Sequence, residues 1–312
     1  MTTSAADTGS GRNTADHIAR PGDLADLRAL IDIELARAFG ADDPSVAPLG
    51  AAIDYSLLAP GKRIRPVLCL AAAETCSAIP AHVVPVAAAF ELIHAYSLVH
   101  DDLPAMDDDD IRRGVPTSHR VYGEAVAVLV GDALQARAFE FVTAASHINP
   151  AALIDIVALL ARAAGWAGMV GGQYLDIDKS RTDRADIASL RDVHDRKTGA
   201  LIAAAVEAGA IAAGVDATTR AGFARFGSEL GWLFQLVDDL LDATGSAESL
   251  GKTPGKDARS GKVTAMDAYG GVDGLRIAVD AQLAACLAAA AELPNGGGRL
   301  PGIARFVHDR DH

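Results

Sequence analysis

Aromatic residues make up only 5% of this 312-residue chain, cysteine occurs three times, and 28 Lys and Arg face 41 Asp and Glu. Each shortage excludes something. A net charge of −13 argues against nucleic acid as a partner, because a phosphate backbone needs clustered Lys and Arg. It does not exclude a small anionic substrate, since local cations and bound metals override the global field. Cys69, Cys76 and Cys286 are odd in number and lack metal-ligand spacing, so they read as buried, reduced thiols, as in a cytoplasmic protein. No run of alternating β-branched residues is long enough to support a sheet. No uncharged apolar stretch reaches about 18 residues, so no transmembrane segment is expected. Residues 1–20 have no apolar core of signal-peptide length and read as a disordered tail, with one folded domain expected over 21–312.

What is present is helix. Alanine dominates the apolar residues, and Gly and Pro cluster at a few breaks. Leu24, Leu27, Ile31 and Leu35 recur at helical spacing. The almost continuous apolar stretch from Pro80 to His100 reads as a buried helix. Further helices are expected over about 121–144, 150–175, 186–213 and 218–243. Residues 245–263, rich in Gly, Lys and Ser, read as a functional loop. There is no fixed-period repeat. The expected architecture is all-α, a bundle of about ten or more helices around a central cavity.

Two acidic clusters break this apolar pattern. In "DDLLD", Asp238 and Asp242 stand one turn apart on one face of an apolar helix. Two carboxylates there cost several kcal/mol unless a cation joins them, and oxygen-only ligands suit Mg²⁺. In "HDDLPAMDDDDIRRG", Asp101 and Asp107 are six residues apart and can converge only if the chain bends within "LPAM" around Pro104. Asp108 to Asp110 read as solvated or paired with arginine. Ser97 and His94 share the face of Asp101. Glu91 and His94 form a single "ExxH", whereas di-iron bundles carry two.

Cations match the acids. "GKRIRP" puts Lys62, Arg63 and Arg65 at the start of an apolar helix, where free amides attract anions. Arg112 and Arg113 follow the first cluster, Lys197 and Thr198 lie in "HDRKTGAL", and Lys252, Lys256 and Lys262 sit in the loop after the second. Carboxylates for Mg²⁺ beside separate cation sets describe a site for two diphosphates. The P-loop motif is absent.

With these blocks, and with "GDAL", "GMVGGQYLD", "GKTPGKD" and "FVHDRDH", the chain resembles the trans-isoprenyl diphosphate synthases from about residue 50 onward. "HAYSLVHDDLPAMD" most resembles bacterial farnesyl diphosphate synthases. The resemblance implies a cytoplasmic, homodimeric prenyltransferase that joins isopentenyl diphosphate to dimethylallyl or geranyl diphosphate. Asp101, Asp107, Asp238 and Asp242 would bind Mg²⁺, three ions once substrate is present, with Mn²⁺ as a substitute. Asp102, Asp239, Gln173 and Asp176 would support that shell. Arg112, Lys197, Lys252 and Lys262 would hold the allylic diphosphate, and Lys62, Arg65, His94 and Arg113 the isopentenyl diphosphate. Lys197, Thr198 and Gln235 would stabilise an allylic carbocation. Tyr96 and Ser97 would form the floor of the chain pocket and favour a C15 product, with C20 or C10 as alternatives. Tyr174, where a small residue is usual, and "KVTAMDAYG" depart from the family pattern. A class I terpene cyclase would carry a different second metal motif, and a non-catalytic helical subunit would be expected to lose an aspartate cluster or the loop lysines.

Overall fold

The computed structural model describes residues 24–39, 44–178, 187–244 and 265–310. Pro21 and Gly22, the N-terminal tail and the loop over 245–263 lie outside them. Helix α1 (Ala25–Leu35) buries Leu27, Ile31 and Leu35, the face its 3–4 spacing defines. Helices α2 (Ala47–Leu57) and α3 (Ile64–Thr75) follow, and α4 (Pro80–Asp101) runs through the protein. Helix α4 packs against α3 and α1 and against α6 (Glu124–Thr143) and α10 (Ala200–Ala212), so it is apolar on nearly every side. The core includes Phe90, Leu92 and Ile93 of α4, with Phe223 and Phe226 of α11 (Ala217–Thr244) fully buried as well.

Several expected helices are divided. A short helix, α5 (Ser118–Tyr122), precedes α6, and Gly123 separates them at φ 86°, a conformation that side chains strain to adopt. The stretch 150–175 becomes α7 (Pro150–Ala164) and α8 (Met169–Ile177). The stretch 186–213 becomes α9 (Ile187–His194), a π-turn over Asp195–Gly199, and α10. Beyond α11 come α12 (Ala265–Ala268), α13 (Val272–Ala291), a 3₁₀ turn at Pro294–Gly297 and α14 (Leu300–His308).

Three features add detail to these expectations. A small antiparallel hairpin pairs β1 (Ile111–Arg112) with β2 (Val115–Pro116); strands this short need no alternating pattern, only a turn, which Arg113 and Gly114 supply with positive φ. Cys69 and Cys286 are buried, but Cys76 is only half-buried, because it sits at the C-terminal cap of α3 and packs against the edge of the core. Pro80–Asp101, Pro150–Ile177 and Val272–Ala291 are each long and apolar enough to cross a membrane by length and composition. In α4 that apolarity is used by the core, where 72% of the window is buried.

Candidate active site

Helix α4 ends by delivering Asp101, and the chain then folds back on itself. The amide of Asp107 donates to the carbonyl of Asp101 at 2.8 Å, and those of Asp108 and Asp109 donate to the carbonyls of Leu103 and Asp102. The bend within "LPAM" therefore brings Asp107 over Asp101, as their spacing requires. Gln173 Nε2 of α8 donates to Asp101 Oδ1 at 3.0 Å. Burial pushes the Asp101 carboxyl up to about 6; Lys197 opposes this and Asp107 adds to it.

Asp102 points elsewhere. Arg112 Nε donates to both of its oxygens, at 2.7 and 3.0 Å. A buried carboxylate must be paired, and the hairpin supplies the partner. Asp102, expected to support a metal, and Arg112, expected on a diphosphate, thus satisfy each other. Asp109 lies 3.9 Å from Arg112 and Asp110 lies 3.2 Å from Arg120, the arginine pairing expected of the later acids.

The π-turn holds the next set. Lys197 Nζ reaches Asp176 Oδ2 of α8 at 2.7 Å. Burial works against its charge, but Asp176, and beyond it Asp101 and Asp107, outweigh that and raise its pKa. The Thr198 hydroxyl donates to Gln235 Oε1 at 3.4 Å, and Gln235 Nε2 donates to Asp239 Oδ1 at 2.8 Å. The other Asp239 oxygen accepts the amide of Ala265 at 3.0 Å, so Asp239 anchors the start of α12. Two glycines make the turn accessible. A Cβ on Gly172 would lie 2.3 Å from Lys197 N, and one on Gly231 would lie 2.7 Å from Gly199 Cα.

Asp238, in the second motif, meets a cation that the sequence reading left without a role. Arg310 reaches Asp238 Oδ1 at 2.6 Å, and its charge also acts on Asp242. No local pattern marks it, since the pair spans 72 positions and Arg310 sits in an otherwise acidic "HDRDH".

Two turns before Asp101 on α4, Arg65, Arg113, Arg112 and Arg63 surround His94. Burial and then these four charges hold its imidazole well below the ordinary range, so it is neutral. Arg113 donates to the carbonyl of Pro60 at 2.7 Å and lies against Gly61. Arg65, with its Nε buried and unbonded, is influenced by both Glu91 and Asp238. Lys62 is exposed. Arg63 is structural: it bonds Glu91 at 2.9 Å, Asp32 at 3.2 Å and the carbonyls of Leu57 and Ala59. Glu91 is thereby explained without a metal. A cleft partly open to solvent runs between α2, α4 and the hairpin, with His94, Asp102, Arg112 and Arg113 on its wall.

Tyr96 is 6% exposed, and its ring meets His100 edge-on at 5.8 Å. Burial, then the charge of Asp101, pushes its phenol up to about 12, with Gln135 of α6 opposing. The Ser97 hydroxyl donates back to the carbonyl of His94 at 2.9 Å. Lys252, Lys256 and Lys262 lie outside the described residues.

Among the described residues, no three His, Cys, Asp or Glu stand close enough to form a protein-only metal cage. The donors still fit a hard dication. Asp101 and Asp107 repel each other at one acidic cluster, and Asp238 and Asp242 stand a turn apart at the other. Mg²⁺ uses few protein ligands and completes its shell with water and phosphate oxygens.

The sequence matches the polyprenyl synthetase family over residues 46–270. The chain belongs to this family. It is 47% identical over 215 residues to geranylgeranyl pyrophosphate synthase 7, chloroplastic, of Arabidopsis thaliana, covering 68% of this chain and 62% of that protein. It is 44% identical over 211 residues to a dimethylallyltranstransferase of Fischerella ambigua, covering 67% of this chain and 61% of that one. The match thus spans about three fifths of these relatives' lengths. Among solved structures, an FPP/GFPP synthase from Zymomonas mobilis superposes with TM-score 0.81 at 32% identity, covering 93% of this chain and 100% of that one. A geranylgeranyl pyrophosphate synthetase from Pyrococcus horikoshii gives TM-score 0.83 at 29% identity, covering 93% and 98%. Membership of the family accounts for the all-α architecture.

Proposed function

We propose that the protein is a Mg²⁺-dependent prenyltransferase that joins isopentenyl diphosphate head to tail, 1′ to 4, onto an allylic diphosphate. The observation that carries this is the π-turn, which sets Lys197 beside the first aspartate motif and Thr198 beside Gln235, one turn from the second. Asp101, Asp107, Asp238 and Asp242 would hold the metal, which when bound supplies positive charge to the diphosphate oxygens. Gln173 and Asp176 orient Asp101 and Lys197. Lys197 and Arg112, with Lys252 and Lys262, take the allylic diphosphate. Lys62, Arg65, His94 and Arg113 take the second one, where neutral His94 offers a donor without adding charge.

The allylic C–O bond then breaks with its electron pair leaving on diphosphate. The Thr198 hydroxyl, the Gln235 amide and the Lys197 carbonyl turn their dipoles to the cation left behind. The alkene of isopentenyl diphosphate attacks C1, and a proton passes to the released diphosphate. No side-chain nucleophile is needed.

A C15 product, farnesyl diphosphate, is supported by the buried Tyr96 beside Asp101's helix end. A C20 product is the second reading, favoured by the names of several relatives. Exposed apolar side chains on α6 to α8, among them Leu129, Ile154, Tyr174 and the 88%-exposed Trp166, favour a homodimer, which light scattering would detect as twice the chain mass. The deciding assay supplies Mg²⁺, isopentenyl diphosphate and one primer at a time (dimethylallyl, geranyl or farnesyl diphosphate). Condensation is expected with the first two. Absence of product with every primer would refute the enzyme.

A further inference from the structure

Helix α14 ends at His308, whose Nε2 lies 2.9 Å from Asp280 of α13. Two residues later Arg310 turns back into the protein. Its guanidinium carbon lies 4.0 Å from the centre of the Phe234 ring, and it donates to the Phe234 carbonyl at 2.7 Å. The same side chain, only 7% exposed, reaches Asp238 Oδ1 at 2.6 Å. Phe234 and Asp238 are one turn apart on α11, so a single helix face offers an aromatic shelf, a carbonyl and a carboxylate to one guanidinium. That is the shape and chemistry a planar, permanently charged group fits best. A solvated surface arginine would make none of these contacts.

We infer that Arg310 is a built-in counter-cation of the second aspartate motif, holding Asp238 in the metal-free protein and yielding it when a divalent cation binds. This rests on the proposed reading of Asp238 and Asp242 as metal ligands. An oxygen accepting a guanidinium at 2.6 Å cannot also bind a dication directly without forcing two positive charges together. The two occupants therefore compete for Oδ1 of Asp238. Binding linkage is reciprocal, so metal at the second motif releases the C-terminal residue, and fixing that residue on Phe234 weakens the metal. The Phe234 ring gives Arg310 a resting place from which to exchange.

The test uses the full chain, with Mn²⁺ alone and no substrate, following free Mn²⁺ by its paramagnetic resonance signal. Arg310→Gln should bind Mn²⁺ tighter than wild type by roughly fivefold, the effect expected of one ion pair at a half-exposed carboxylate. Arg310→Lys, which keeps the charge but loses the flat stacking, should fall between them. Equal or weaker binding by Arg310→Gln overturns the inference, as does absence of binding by both proteins, because Oδ1 of Asp238, released from Arg310, should then serve the ion. If Arg310→Gln does not melt cooperatively, Phe234→Leu removes the shelf instead and should tighten Mn²⁺ in the same direction; unchanged binding then overturns it. The underlying reading is checked separately. Asp238→Asn with inorganic diphosphate present loses Mn²⁺ if Asp238 is a ligand, whatever Arg310 does.

Discussion

The backbone of Gly172 passes so close to that of Lys197 that a methyl group on the glycine would lie 2.3 Å from the lysine amide nitrogen. Helix α8 and the π-turn therefore touch main chain to main chain, and α8 carries Gln173 and Asp176 to Asp101 and Lys197. Gly172→Ala must push the π-turn away from α8. We expect kcat to fall by at least about tenfold, the sensitivity of positioned groups to displacements near 1 Å, with the KM for isopentenyl diphosphate nearly unchanged, since Arg65 and Arg113 stand on other elements. A matching rise in that KM with kcat intact would show that the contact does not position the site.

Removing Arg63 tests stability rather than chemistry. It would leave the buried Glu91 carboxylate and the Leu57 and Ala59 carbonyls without their partner. Arg63→Met should cost about 3–5 kcal/mol in a urea titration, as breaking one side of a buried ion pair does. Adding Glu91→Leu should recover part of that loss; no recovery would mean that the pair is not the source.

Asp101 gives a pH dependence with a definite sign. Its folded pKa, about 6, is above the ordinary 3.8, so it stabilises the metal-free fold fully below pH 3.8 and loses that contribution as pH rises through 6. Asp101→Asn should therefore raise the melting temperature at pH 8 and change it little near pH 4. A cation must displace the same proton, so divalent binding should weaken as pH falls below 6. Melting curves at both pH values, without metal, check the first half, and Mn²⁺ titration checks the second.

Tyr96 makes the product question measurable. It lies about 7.5 Å along the helix axis from Asp101 and is buried. Tyr96→Ala should lengthen the main product by at least one isoprene unit in chromatography of the dephosphorylated products. An unchanged distribution would mean that Tyr96 is an ordinary core residue, leaving Ser97 or α6 to set the length. Tyr174 is 63% exposed, so a side chain there fits an outer face better than a pocket wall.

What was legible in the sequence depended on distance along the chain. The bend in "LPAM", the paired Asp238 and Asp242 and the buried α4 follow from local spacing and apolar pattern. The helix break at Gly123 and the π-turn in "HDRKTG" do not, because periodicity continues across both. Partner choice was harder still. Arg112 reads as a diphosphate ligand and Arg63 as one more cation of "GKRIRP", yet buried Asp102 and Glu91 claim them. Arg310 finds Asp238 only through the packing of α14 against α11. Charges announce that they need a partner; which partner is decided by tertiary structure.

The π-turn also changes what consecutive residues can do. Each step of a helix whose bonds run from i to i+5 rotates the chain less than a step of an α-helix. Lys197 and Thr198 are sequence neighbours, yet one bonds α8 and the other α11. An ordinary helix would have aimed them farther apart. One surplus residue in the turn thus does the work of a bifocal lens, turning two adjacent side chains on a single region. Deleting one residue between His194 and Gly199 would restore regular winding and separate that pair, while leaving the flanking helices able to form.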